Sequence, residues 1–306
     1  MSTRAGSPRI GFLGFGEAGP AVAEGLSEAG IEAITAYDIA WPGLADERFA
    51  ARAARSGTVL AHSPAELAAR SDLVFSFVTC DRAVEAARGM APALGPDLVY
   101  VDCNSASPMV KREVGAIVEG AGARYAEAAV MALAPPHRHR VPILLCGPAA
   151  QTVHDLMTPF EMRLEVLGEA LGMASACKMF RSIVVKGMQS LFIESLLAAS
   201  RYGVHQRVFD SISESFPGTD WNALAHYQVG RSALHAERQG HELEEVSRTL
   251  EEMGEDPVMS RATAERLLRF AALGLKERFG ETEPSSYDEV LAAIADLAQR
   301  AGPGGR

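Results

Sequence analysis

The chain has 306 residues, 48% hydrophobic and 22% charged, an ordinary globular composition that excludes disorder, collagen and coiled coil. Its formal net charge of −10, from 29 Lys plus Arg against 39 Asp plus Glu, argues against nucleic acid as a partner. The opening MSTRAGSPRIGFLGFG lacks an apolar leader, and no stretch approaches the roughly 20 uninterrupted apolar residues of a membrane span, so no membrane is expected either.

From Arg9, the apolar run RIGFLGF predicts a strand, followed by glycines and an amphipathic segment, EAGPAVAEGLSEAG, that ends at Gly30. The pattern repeats through ITAYD (34–38), a polar Ala/Arg segment, TVLA (58–61), the short helix PAELAAR, DLVFSFV (72–78), a helix from Asp81, and DLVYVD (97–102). Apolar runs without alternation predict strands buried on both faces, as in a parallel sheet covered by helices. Ser107-Pro108 reads as an N-cap and first helical position, opening a helix to about Gly120. YAEAAV (125–130), VPILLCG (141–147) and RLEVLG (163–168) complete the strands, with PPHRHR as a loop. After Gly168 only helical texture remains: about Leu171 to Tyr202, opened by Gly172 and Ser175 and ended by Gly203; Ala223 to Met253 after a turn-rich break, SESFPGTDW; a third helix near Ala262–Phe279; and a frayed AGPGGR tail. The expected fold class is therefore α/β: a doubly wound Rossmann-type domain over 1–168, then an all-α domain over 169–306. Cys80, Cys103, Cys146 and Cys177 lie far apart without a CxxC pair, which fits free thiols in a reducing cytoplasm.

Gly14, Gly16 and Gly19 form GxGxxG between a strand and a helix. The first glycine makes the tight turn, the second lets backbone approach a pyrophosphate, and the third lets helix pack on strand. Phe15 and Glu17 of this turn, with Val78 and Thr79 after the strand at 72–78, join the candidate cofactor contacts. Asp38, ending the second strand, is placed to accept the adenosine ribose hydroxyls and to repel a 2′-phosphate, favouring NAD over NADP.

In GEALGMASACKMFRSIVVKGMQSLFIESL, helical periodicity puts Lys178, Ser182 and Gln189 on one face, about 80–100° from Lys186. The helix dipole and desolvation both disfavour a charged amine near the first turn, moving it toward the range useful for proton transfer. The N-terminal IGFLGFGEAGPAVAEGLSEAG, the DCNSASP segment (102–108) and LGMASACKM before a long helix resemble, in order, three landmarks of the β-hydroxyacid dehydrogenase and phosphogluconate dehydrogenase superfamily. The stretch RSALHAERQGHELEEVSRTLEEMGEDPVMSRAT resembles its bacterial branch with a short phosphogluconate-dehydrogenase-like helical domain. The resemblance implies that Lys178 is the general base on a substrate hydroxyl while hydride leaves for the nicotinamide. It also implies that Asn104 and Ser105 hold the substrate carboxylate or nicotinamide ribose, and that the helical domain pairs in a homodimer. From the residues alone, Asn104 and Ser105 read equally as loop caps.

The chain departs from these relatives at several places. Val130-Met131-Ala132 replaces a serine and two glycines, and Ser182, preceded by Arg181, stands where an asparagine is usual. Val185 replaces the glutamate that protonates the enediol in phosphogluconate enzymes, which weighs against oxidative decarboxylation. His241-Glu242 corresponds to a Lys-Asp pair, and Lys178 itself to an Asp or Tyr of imine reductases, which places imine reduction behind alcohol oxidation. Tyr227, Arg231, His235, Arg238 and Glu242 recur at helical spacing, either as a solvated salt-bridge ladder or as a face on which Arg231 or His235 fixes an acidic substrate group. His137 and His139 lack a carboxylate or cysteine at ligand spacing, so no metal is expected. The expected activity is NAD-dependent oxidation of a small anionic hydroxy acid, or reduction of the matching keto acid, with Arg181, Ser182, Arg231 and His235 as further substrate contacts. A nucleotide sensor without turnover is the non-enzymatic alternative, and Lys178 distinguishes the two.

Overall fold

The structure is a computed structural model and describes residues 7–41 and 47–300. Two compact units divide it at Lys178/Met179, inside the helix that follows the last strand. The sequence-based boundary at Gly168 marks where strands end.

The first unit is built on one eight-stranded sheet of β1 (Ile10–Leu13), β2 (Ile34–Tyr37), β3 (Val59–Leu60), β4 (Leu73–Ser76), β5 (Val99–Asp102), β6 (Arg124–Val130), β7 (Ile143–Cys146) and β8 (Leu164–Gly168). The strand order is β3-β2-β1-β4-β5-β6-β7-β8. All pairs are parallel except β6 with β7. Alternate residues of each strand feed opposite faces: Leu73 and Phe75 with Val99 and Val101 enter one core, and Val74 with Tyr100 the other. Both faces are apolar because both are covered, which is why these strands read as unbroken hydrophobic runs.

The helices of this unit are α1 (Ala18–Glu28), α2 (Glu47–Ser56), α3 (Pro64–Ala69), α4 (Ala83–Met90), α5 (Pro108–Gly120), α6 (Ala134–His137) and α7 (Ala150–Met157). Ser107 caps α5 as the sequence predicts, its hydroxyl accepting from Val110 N with proline at the first position. The PPHRHR segment is not plain loop: prolines near the start of α6 favour a helical turn, followed by a 3-10 turn at Arg138–Arg140. One helical turn is too little for a parallel crossover, so β7 folds back against β6.

The helical part comprises α8 (Met173–Ser200), α9 (His205–Ser215), α10 (Trp221–Glu252), α11 (Val258–Ala271), α12 (Leu275–Phe279) and α13 (Tyr287–Arg300). Gly274, at φ +76°, breaks the expected helix near 262–279 into α11 and α12. Two helices lie outside the predicted set. α9 buries only Phe209 fully, with Ile212 partly buried on the same helical core, and α13 packs Tyr287, Val290 and Ala293 into it. The AGPGGR tail lies outside the described residues. By length and composition alone α8 is apolar enough to cross a membrane, with one third of the qualifying window buried, although it is not an uninterrupted apolar run. Lys178, Arg181, Lys186 and Glu194 interrupt it, and Phe192, Ile193 and Leu196 enter the core of the second unit.

Candidate active site

The carboxyl ends of β1, β2, β4 and β5 converge where the strand order reverses between β1 and β4, the place at which open α/β sheets bind ligands. The glycine turn lies there and its three glycines have three separate causes. Gly14 adopts φ +89°, and a Cβ on it would come within 2.5 Å of the Phe77 carbonyl oxygen, so the turn closes only with glycine. A Cβ on Gly19 would lie 2.9 Å from the Gly14 carbonyl oxygen, so α1 packs only without one. Around Gly16 nothing lies within 4 Å of that position. A cradle closed at its first and third glycines and open at the second fits a pyrophosphate on exposed backbone.

Phe15 is fully buried in the core, and its N–H donates to Asp38 Oδ2 at 2.8 Å. The other Asp38 oxygen accepts from Ala40 N at 3.0 Å, so the acid expected to face a ribose also ties the end of β2 to the glycine turn. Arg52 donates to the Phe15 carbonyl oxygen at 3.3 Å, and Glu17 is exposed beside Gly16. Thr79 precedes the 3-10 turn at Cys80–Arg82 without a side-chain cap to it, and a hydrogen bond with its side chain holds the Asp81 carboxyl below its usual range.

Asn104 is buried, and both polar atoms of its side chain are engaged within the fold. Oδ1 accepts from Val78 N at 2.7 Å and Nδ2 donates to Ser76 Oγ at 3.0 Å. It thereby fixes the turn carrying Val78 and Thr79, in line with the loop-cap reading. Ser105 is exposed, and Lys178 Nζ donates to its Oγ at 2.6 Å.

Beneath this pair lie charged residues that sequence reasoning missed. Asp102 and Lys111 are 0% and 1% exposed and paired at 3.0 Å. Lys111 Nζ also donates to the Asp102 carbonyl oxygen at 2.7 Å, and Tyr125 donates its hydroxyl proton to Asp102 Oδ2 at 3.1 Å. Burial, then the nearby Asp102 charge, pushes the Tyr125 phenol well above its ordinary value. Glu127, also 0% exposed, accepts from Gly172 N and, at 2.7 Å, from Ser175 N at the start of α8. Its negative charge at the positive end of the helix offsets the dipole on which the sequence argument for the amine partly relied. Lys178 itself is half-buried, so solvent reaches the amine. Lone acids in the apolar strands VYVD and RYAEAAV were the available signal, because a buried charge requires partners.

Arg181, Ser182, Arg231 and His235 belong to the second unit. The Arg231 guanidinium lies over the Tyr227 ring, 5.7 Å from its centroid. Burial, then the charges of Arg238 and Arg231, holds the His235 imidazole below its ordinary value. Further along the stripe Glu242 accepts from both Lys186 and Arg238. Burial acting alone would raise its carboxyl, but the charges and hydrogen bonds of Lys186 and Arg238 together hold it low. This end of the stripe is thus a salt-bridge ladder. Among the described residues no group of three or more His, Cys, Asp or Glu is placed to hold a metal ion.

A doubly wound sheet with this glycine turn, followed by a helical domain, defines a nicotinamide-dinucleotide-binding oxidoreductase fold. Residues 9–158 match the NAD binding domain of 6-phosphogluconate dehydrogenase, and residues 199–270 match a domain of unknown function, DUF1932. A conserved hypothetical protein from Sinorhizobium meliloti is 34% identical, with a TM-score of 0.79 over 96% of this chain and 97% of that one. The mitochondrial 3-hydroxyisobutyrate dehydrogenase of Drosophila melanogaster is 26% identical over 72% of this chain and 67% of its own length. The 3-hydroxyisobutyrate dehydrogenase of Mycobacterium tuberculosis, solved with L-serine, shares the fold at 19% identity, with a TM-score of 0.72 over 95% and 99% of the two chains. The chain belongs to the β-hydroxyacid dehydrogenase and phosphogluconate dehydrogenase-like family, in the form that joins an NAD-binding domain to a DUF1932 domain.

Proposed function

We propose that this protein exchanges a hydride between NAD and a small anionic 3-hydroxy acid, with Lys178 as the general acid and base. The observation that carries this reading is the Lys178 amine donating to Ser105 Oγ at 2.6 Å, in the same unit as the glycine turn. The nicotinamide supplies or accepts the hydride when bound. Gly14, Phe15, Gly16, Glu17 and Gly19 form the pyrophosphate cradle, with Asp38 toward the adenosine ribose and Val78 and Thr79 further along the sheet edge. The carboxylate of Asp38 disfavours a 2′-phosphate, which supports NAD over NADP.

In the oxidation direction Lys178 takes the proton from the substrate hydroxyl, and in reduction it returns it. Ser105 orients the amine, and Asn104 holds the turn beside it. Val185 stands where a decarboxylating relative has its acid, so oxidation ends at the keto acid. Arg181, Ser182, Arg231 and His235 are assigned to the substrate's anionic group on the family resemblance, and the helical domain to a cytoplasmic homodimer.

The test is turnover with NAD and a panel of 3-hydroxy acids, namely 3-hydroxyisobutyrate, 3-hydroxypropionate and L-serine, for wild type and Lys178→Ala. Loss of kcat by about a hundredfold or more with retained NADH binding is expected for removal of a general base. Unchanged turnover in the variant overturns the lysine mechanism, and NADH binding without turnover of any member favours a sensor.

A further inference from the structure

Asp102, Glu127 and Cys146 are consecutive register partners across β5, β6 and β7. All three are fully buried, and each serves the loops above the sheet. A helix start leaves its first N–H groups without intrahelical acceptors, and when that start is buried the strand below must supply them. Glu127 takes Gly172 N and Ser175 N, and Cys146 Sγ takes Ala174 N at 3.5 Å. Gly172 itself is confined: its φ is +99°, and a Cβ there would lie 3.1 Å from both Pro108 Cβ and an Arg112 guanidinium nitrogen. The start of α8 therefore has little freedom to slide. Lys178 follows Ser175 by one turn. On the neighbouring strand, Asp102 Oδ1 takes Asn104 N at 3.0 Å while Lys111 holds the carboxylate from behind, which fixes the turn that presents Ser105.

We propose that Glu127 is a positioning residue for Lys178. It sets the register of the first turns of α8, so that the amine meets Ser105, and it places a negative charge one turn before that amine. Asp102, its neighbour in register, holds the other partner of the same hydrogen bond. The inference rests on the reading of Lys178 as the proton-transfer group, but it is tested by a property of the amine that needs no substrate.

The experiment measures the rate of acetylation of Lys178 by acetic anhydride against pH, read by peptide mass spectrometry, in wild type, Glu127→Gln and Glu127→Asp. The ionisable groups around this end of the sheet and the start of α8 include Asp102, Lys111, Cys103, Tyr100, Tyr125, Cys146, Arg112 and Cys177, none of which is altered in the variants. Burial pushes the Cys103 thiol up to about 12 and the Cys146 thiol up to about 11. Removing the charge in Glu127→Gln is expected to move the Lys178 titration to lower pH. Glu127→Asp, which keeps the charge but is too short to reach both N–H groups, is expected to leave the midpoint in place and to raise the acetylation rate above it, as the bond to Ser105 loosens. With the 3-hydroxy acid panel, both variants should lose kcat about tenfold or more while the dissociation constant for NADH stays within about twofold. A merely structural cap would give the same Lys178 midpoint in Gln and wild type, and that result in folded protein overturns the proposal. If the Gln variant does not fold, a wild-type acetylation rate in the Asp variant overturns it instead. Turnover surviving in Lys178→Ala removes the catalytic reading alone, and the acetylation profiles still decide whether Glu127 governs the amine.

Discussion

Asp38 Oδ2 accepts the N–H of Phe15 at 2.8 Å, so the acid at the end of β2 and the glycine turn at the end of β1 form one unit. Cofactor choice and turn geometry are coupled through this bond. Asp38→Asn keeps an acceptor for Phe15 but removes the charge and the acceptor for Ala40 N, and is expected to narrow the NAD-to-NADP ratio of kcat/KM with a smaller loss of stability than Asp38→Ala. Asp38→Ala is expected to narrow the ratio equally and also to lower Tm, because a hydrogen bond to a charged acceptor contributes about 1.5–3 kcal/mol. An unaltered ratio in both variants would show that Asp38 does not face the ribose.

The glycines of the turn should separate in the same way. Gly14→Ala meets a positive φ and a carbonyl oxygen 2.5 Å away, so a loss of about 1–3 kcal/mol or more in urea unfolding is expected. Gly16→Ala meets nothing within 4 Å, so stability should stay within about 0.5 kcal/mol while NADH affinity, measured by fluorescence titration, falls. Equal affinities for wild type and the Gly16 variant would place the pyrophosphate elsewhere.

The buried Asp102–Lys111 pair predicts a strong asymmetry between single and double variants. Lys111→Met leaves a fully buried carboxylate without its cation and should cost about 3–5 kcal/mol in denaturant unfolding. The double variant Asp102→Asn with Lys111→Met should recover much of that loss, since neither charge is then stranded. Additive losses would show that the two side chains act independently.

His139 predicts an acid-side loss of stability. It is buried against α1, where a Cβ on Gly25 would overlap its ring, and burial, then the charge of Arg140, lowers its imidazole from the ordinary 6.5. The unfolded chain then binds the proton more readily than the folded one. Stability from this residue is full above about pH 6.5 and declines as pH falls from there toward the folded value. Arg138 also opposes its protonation, while Glu161 and Glu28 favour it. Chemical denaturation at pH 8 and pH 5 should give a smaller difference for His139→Phe than for wild type. An identical difference would assign the acid sensitivity to other groups.

The alternation of strand and helix, the glycine turn and the α5 cap were legible in the sequence because each is governed by local rules. These are a hydrophobic period, a backbone angle open to glycine, and a hydroxyl beside a helix start. Lys178 and Ser105 were likewise found one by one, from their settings in two motifs. Only the tertiary structure decided that they touch, since 73 residues separate them and no local pattern encodes the distance. It also decided that β7 runs antiparallel and that α9 forms with Phe209 alone fully buried. The buried acids are the clearest case. Asp102 and Glu127 appear in the sequence as single charges in apolar strands, and their task depends on register: adjacent on β5 and β6, they fix the two backbone segments whose side chains meet above the sheet.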